Sequence, residues 1–127
     1  MSNTPYKIVK NNTFLPDKLQ GVIELHYRAE IDPNNHIFNG HFPDQPVVPG
    51  VCTLGMIKEC VSDTLSKKII FTEVKECKFL AAILPSMHSI VDVFITLKRD
   101  KVALPINVTA LVKHNDTIMM KLKATAM

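Results

Sequence analysis

The sequence predicts an α+β domain in which an antiparallel sheet wraps around one apolar helix. Three observations carry this. The segment Gly50 to Leu65 repeats its apolar residues at helical spacing. Four other segments alternate apolar and polar residues, as half-buried strands do. The reversals between the later segments are short, which implies antiparallel neighbours.

The first clear strand runs from Gly21 to Ile31, with Ile23, Leu25, Tyr27, Ala29 and Ile31 on one face and Glu24, His26, Arg28 and Glu30 on the other. Asp32 to Pro49 is a loop rich in Pro, Asn and Gly. The helix follows, with Leu54, Ile57, Val61 and Leu65 at three- and four-residue spacing and Pro49–Gly50 at its start. It is apolar on most faces, so other elements should wrap it. Ile69 to Leu84 has mixed strand character. Val91, Val93, Ile95 and Leu97 form one face of a further strand. Leu104, Ile106, Val108, Ala110 and Val112 form another, and Ile118, Met120, Leu122, Ala124 and Ala126 the last. Arg99-Asp100-Lys101 and His114-Asn115-Asp116 read as the reversals. The edges such a sheet leaves open are ones that dimerisation could cover.

The chain has 127 residues, enough for one domain spanning 1–127. Hydrophobic residues make up 46% and charged residues 21%, which excludes a disordered chain. A net charge of +3 and only 6% aromatic residues argue against a nucleic-acid surface, though the mild positive balance suits an acidic protein partner. The N-terminus lacks the apolar run of a signal peptide, and no stretch approaches a membrane span. The three cysteines, Cys52, Cys60 and Cys77, have no framework or metal-ligand spacing. The expectation is a cytoplasmic protein with reduced thiols and no metal.

The chemistry concentrates in "NGHFPDQPVVPGV", Asn39 to Val51. Pro43, Pro46 and Pro49 restrict the backbone around His41 and lead it into the helix start. A helix start offers N–H groups to a carbonyl oxygen or anion. A histidine beside such donors can act as general acid or base next to an oxyanion site. The stretch resembles the signature of the hot-dog-fold (3R)-hydroxyacyl-acyl-carrier-protein dehydratases: His-Phe-Pro, two residues, Pro, two residues, Pro-Gly-Val. His41, Phe42, Pro43, Pro46, Pro49, Gly50 and Val51 all match it. The order of elements agrees from about Gly21 to Met127.

The resemblance implies a hot-dog fold that dehydrates β-hydroxyacyl thioesters delivered by an acidic acyl carrier protein, in fatty acid or related synthesis. It gives His41 the acid/base role and the Gly50 or Val51 backbone the oxyanion role, with Phe42 and Pro49 beside the substrate. It implies at least a dimer, with an apolar acyl tunnel at the interface. No prosthetic group is needed, because carbonyl polarisation alone eases deprotonation α to a thioester.

One position departs from the pattern. The family carries a helix carboxylate fourteen residues after the histidine, and here that position is Gly55. A mid-helix glycine costs about 1 kcal/mol relative to alanine, so helix stability does not explain it. Either a neighbouring backbone or bulky side chain packs close, or the site has been widened or disabled. Glu59, one turn on and on the same face, is a substitute displaced by about 6 Å along the axis. Asp44 more naturally bonds its own turn. Since each family site joins the histidine of one subunit to the carboxylate of another, a carboxylate-bearing relative could complete a site as a heterodimer. The rival readings are a non-catalytic acyl-carrier or acyl-chain binding subunit and a thioesterase, which the same fold supports; Cys52 reads first as a buried small hydrophobe and otherwise as a thioesterase nucleophile with His41 as its base. Among the other histidines, His36 reads as a loop cap, His26 as solvated, and His88 and His114 as turn residues.

Overall fold

A computed structural model describes residues 6–17, 22–35, 47–99 and 105–127, with the backbone alone for residues 10–17. Six strands and one helix follow in the order β1 (Tyr6–Asp17), β2 (Val22–Ile31), α1 (Gly50–Leu65), β3 (Phe71–Phe79), β4 (Ile90–Lys98), β5 (Ile106–His114) and β6 (Thr117–Ala126). They form one sheet in the order β1-β2-β4-β5-β6-β3, antiparallel at every step. The buried face of α1 shares one core with the buried faces of the strands, which is the hot-dog arrangement.

Alternation in the sequence becomes alternation of burial. Leu25, Tyr27, Ala29 and Ile31 of β2 point to the helix, as do Val91, Val93, Ile95 and Leu97 of β4. On α1 the buried face is Thr53, Met56, Ile57, Cys60 and Val61. Each fully buried Ile, Leu or Met contributes about 1.5–3 kcal/mol. Because one face is buried, a one-residue slip in β2 or β4 would turn that whole set to solvent.

α1 ends on Ser66, which adopts a left-handed conformation (φ 54°) while the Lys67 N–H returns to the Ser62 carbonyl at 3.2 Å. Asn115, at φ 53°, makes the tight reversal between β5 and β6 where the sequence places one. Of the other expected reversal, Asp100 and Lys101 lie outside the described residues, as does Leu104.

Three features depart from the sequence reading. β1 has no counterpart in it: the stretch YKIVKNNTFLPD breaks its alternation at Asn11-Asn12, and its pairing with β2 shifts register twice. β3 is shorter than the Ile69–Leu84 stretch, and Thr72, Glu73, Val74 and Lys75 are all exposed, so no apolar face marks it. His26 is not simply solvated. Its Nε2 lies 2.9 Å from Asp92 Oδ1, and its ring stacks on Phe94 with centroids 4.3 Å apart.

Candidate active site

Pro49 leads into α1 with extended backbone (φ −59°, ψ 145°). Its carbonyl accepts from the N–H groups of Cys52 (2.9 Å) and Thr53 (3.3 Å). Among the described residues, the N–H groups of Gly50 and Val51 have no acceptor. Among the described residues no side chain caps this end, and its first turn holds no acidic residue, so the positive end of the helix dipole is not neutralised from within α1. Val51 is 74% exposed, which leaves that side of the first turn open to an incoming group.

Beside this end lies a cavity of about 420 Å³, walled by Val48, Gly50, Thr53, Phe79, Ile83 and Met119. The Val48 N–H donates to the Ile83 carbonyl at 2.8 Å and ties the segment entering α1 to the loop after β3. That loop holds itself through His88, whose Nδ1 accepts the Leu84 N–H at 2.9 Å. The His88 ring meets His114 edge-on, with centroids 4.7 Å apart. Burial first, then His114, lowers the His88 pKa.

Gly50 meets the tip of an exposed ring, which a side chain there would have to displace. A Cβ there would stand 2.8 Å from Cζ of Phe79, whose ring lies across the helix start. Gly55 differs. A Cβ there would meet the Tyr6 hydroxyl at 3.7 Å, an ordinary contact. A side chain does lie over Gly55, but at a distance that admits a methyl group. Tyr6, from β1, shares a hydrogen bond with Glu59, so its hydroxyl spans the turn between Gly55 and Glu59. Burial chiefly, then the Glu59 charge and hydrogen bond, raise the Tyr6 pKa and keep the phenol protonated.

The same helix flank repeats this one turn later. The Tyr27 hydroxyl donates to Asp63 Oδ2 at 3.0 Å, so the Thr64 hydroxyl, at 2.6 Å, donates to Tyr27. Burial, with Asp63 beside it, pushes the Tyr27 pKa up to about 12. A pocket of about 280 Å³ opens between these pairs, lined by Ile8, Tyr27, Glu59, Cys60 and Asp63.

The structure brings Gly50, Val51 and Pro49 together at one end of α1, and Gly55 and Glu59 together under Tyr6. His41 and Phe42 lie outside the described residues, as do His36 and Asp44. Burial raises the pKa of Cys52, which makes it a poor nucleophile, and pushes that of Cys60 up to about 12. All three cysteines are free, and the described residues contain no cluster of metal-ligating side chains. Sequence reasoning missed Tyr6 and Phe79. Phe79 carries no pattern that marks it, and Tyr6 lies in the strand whose alternation is broken.

The family model for ApeI-like proteins, described as ApeI dehydratase, matches residues 18–119. Among solved structures, an uncharacterized protein from Erwinia carotovora subsp. atroseptica is similar at 20% identity with a TM-score of 0.74, over 96% of this chain and 95% of that one. The dehydratase heterocomplex ApeI:P from Xenorhabdus doucetiae is similar at 20% identity and a TM-score of 0.63, over 94% of this chain and 97% of that one. A phenylacetic acid degradation-related protein from Ralstonia eutropha gives 17% identity and a TM-score of 0.58, over 92% of this chain and 83% of that one. At such identities the structural likenesses speak to the fold. The family match spans most of the chain and takes in the whole His41–Val51 stretch and all of α1: this protein belongs to the ApeI-like dehydratase family.

Proposed function

We propose that this chain dehydrates 3-hydroxyacyl thioesters on an acyl carrier protein to 2-enoyl thioesters, in fatty acid or related acyl-chain synthesis in the cytoplasm. The observation that carries this is that, among the described residues, the N–H groups of Gly50 and Val51 have no acceptor, at a helix start whose Gly50 lines the apolar cavity of about 420 Å³. A thioester carbonyl hydrogen-bonded there becomes more polarised as negative charge builds on its oxygen, which lowers the barrier to losing the α-proton. His41 takes that proton and protonates the departing hydroxyl. Phe42 and Pro49 flank the acyl group, and no prosthetic group takes part.

The working unit in this reading contains at least two hot-dog subunits. A second copy of the chain would present Gly55 to His41. A carboxylate-bearing relative would present the family's carboxylate. The heterocomplex form of the Xenorhabdus doucetiae dehydratase supports the latter arrangement. The test is hydration of a 2-enoyl thioester on carrier protein, followed by loss of enoyl absorbance. It is run with the purified chain, with the assembly co-purified from the native host, and with His41→Ala in each. Turnover that depends on His41 in either assembly supports the proposal. Turnover in neither, or turnover indifferent to His41→Ala, overturns it. Gly55 favours one second reading, a non-catalytic acyl-binding subunit, which predicts thioester binding without turnover in both assemblies.

A further inference from the structure

We propose that the Thr53 hydroxyl, in the wall of the cavity beside the start of α1, binds the 3-hydroxyl of the acyl thioester and so selects hydroxylated chains over saturated ones. This rests on the dehydratase reading above, in which the thioester carbonyl meets the N–H groups at the helix start.

Thr53 is only 1% exposed, yet it carries a hydroxyl. It lines the cavity of about 420 Å³, where the other side chains that the described residues bring are apolar, Val48, Phe79, Ile83 and Met119 among them. A helical threonine commonly turns its hydroxyl back to the carbonyl four residues earlier. Here that carbonyl belongs to Pro49, which already accepts the N–H groups of Cys52 at 2.9 Å and Thr53 at 3.3 Å. A carbonyl oxygen has two lone pairs, so both are taken. Among the described residues, the Thr53 hydroxyl has no hydrogen-bond partner. None of the described side chains holds an oxygen or nitrogen that is both sealed in and unpaired, so the Thr53 oxygen reaches the cavity space.

Its position follows from helix geometry. Thr53 stands three residues after Gly50, about 4.5 Å along the axis and on the same flank. Helical Cα–Cβ bonds tilt toward the N-terminus, so its side chain leans back over the first turn. N–H donors for one oxygen and a hydroxyl for another therefore share one end of one cavity. A 3-hydroxyacyl thioester carries two such oxygens, one on the carbonyl and one two carbons further along. A hydroxyl both donates and accepts, so Thr53 can pair with the substrate hydroxyl in either sense. A saturated chain in the same place would leave Thr53 unpaired in an apolar wall, the costly outcome for a buried polar group.

The experiment measures affinity by calorimetry for 3-hydroxyoctanoyl-pantetheine and octanoyl-pantetheine analogues. Each has an amide in place of the thioester, which keeps the carbonyl and suppresses turnover. The quantity read is the ratio of the two affinities, in the purified chain and in the assembly from the native host. We expect the wild type to favour the hydroxy ligand. Thr53→Val keeps the shape without the hydroxyl and should lower that preference about threefold to tenfold, the worth of one hydrogen bond. Thr53→Ala should lower it as much, and Thr53→Ser should retain it. Three results overturn the inference: no preference in the wild type, an unchanged ratio in Thr53→Val and Thr53→Ala, or an equal fall in Thr53→Ser, which would assign the preference to packing of the methyl group. In each of these, hydration of the 2-enoyl thioester by the wild type leaves the dehydratase reading standing. A wild-type assembly that neither binds the analogues nor turns over the enoyl thioester removes both.

Discussion

Gly50 and Gly55 stand on the same helix and lack a side chain for different reasons. At Gly50 the tip of the exposed Phe79 ring would stand 2.8 Å from an added methyl group, so the ring must shift to admit one. At Gly55 the nearest group is a hydroxyl at 3.7 Å, and a methyl group fits. The first glycine is explained by packing and belongs to an apolar cavity. The second is not demanded by its surroundings and sits beside a polar flank of paired phenols and carboxylates. A missing side chain is therefore evidence about function only once its neighbours have been measured.

Removing the donor beside Gly50 tests the apolar end most severely. Val51→Pro deletes one N–H in the first helical turn, where proline is tolerated. We expect enoyl hydration to fall about 100-fold or more with little change in melting temperature. Unchanged turnover would show that this N–H does not polarise the substrate.

Next come the two glycines themselves, with opposite signs. Gly50→Ala makes the exposed Phe79 ring turn aside and should destabilise the fold by about 0.5–1.5 kcal/mol in urea unfolding, a loss relieved in the double variant with Phe79→Ala. Gly55→Ala should stabilise it by up to about 1 kcal/mol, because the methyl group has room and alanine favours the helix. Destabilisation of similar size at both positions would erase the contrast.

The smallest expected effects are pH-dependent, and the first lies on the Gly50 side. The His88 pKa is lowered from its ordinary 6.5, so the folded protein binds a proton there less readily than the unfolded chain. The stability contributed by neutral His88 is present above pH 6.5 and is lost as pH falls through the folded value. Protonation also removes the acceptor for the Leu84 N–H. Hydrogen exchange at Leu84 should quicken below pH 6.5 while the amides of β2 stay protected, and His88→Gln should flatten that dependence. A second loss is expected well below pH 4 at Asp92, where hydrogen bonds from His26 and Arg28 outweigh burial and hold its pKa below the ordinary 3.8.

Much of the fold was legible because burial is one-sided. The bounds of α1 follow from Pro49–Gly50 and from the spacing of Leu54, Ile57, Val61 and Leu65. β2, β4, β5 and β6 could be read because one face of each touches the helix. β1 could not, and β3 showed only as mixed strand character over Ile69–Leu84, since edge strands carry weaker patterns. The site divides in the same way. Gly50 and Val51 were marked by a local motif, and Gly55 by its departure from one. Tyr6 reaches Gly55 from a distant part of the chain, and no periodicity reports such a contact. His26 was read as solvated for the same reason, since Asp92 and Phe94 come from the neighbouring strand.

β3 closes one side of the sheet with a ladder open to whatever arrives. It bears Glu73, Lys75, Glu76 and Lys78 in close succession, with Lys78 Nζ already 3.5 Å from Glu76 Oε1. Any strand that adds there must meet these charges with opposite ones or strip them of water. Replacing those lysines and glutamates with apolar residues would give up solubility long before it disturbed the core.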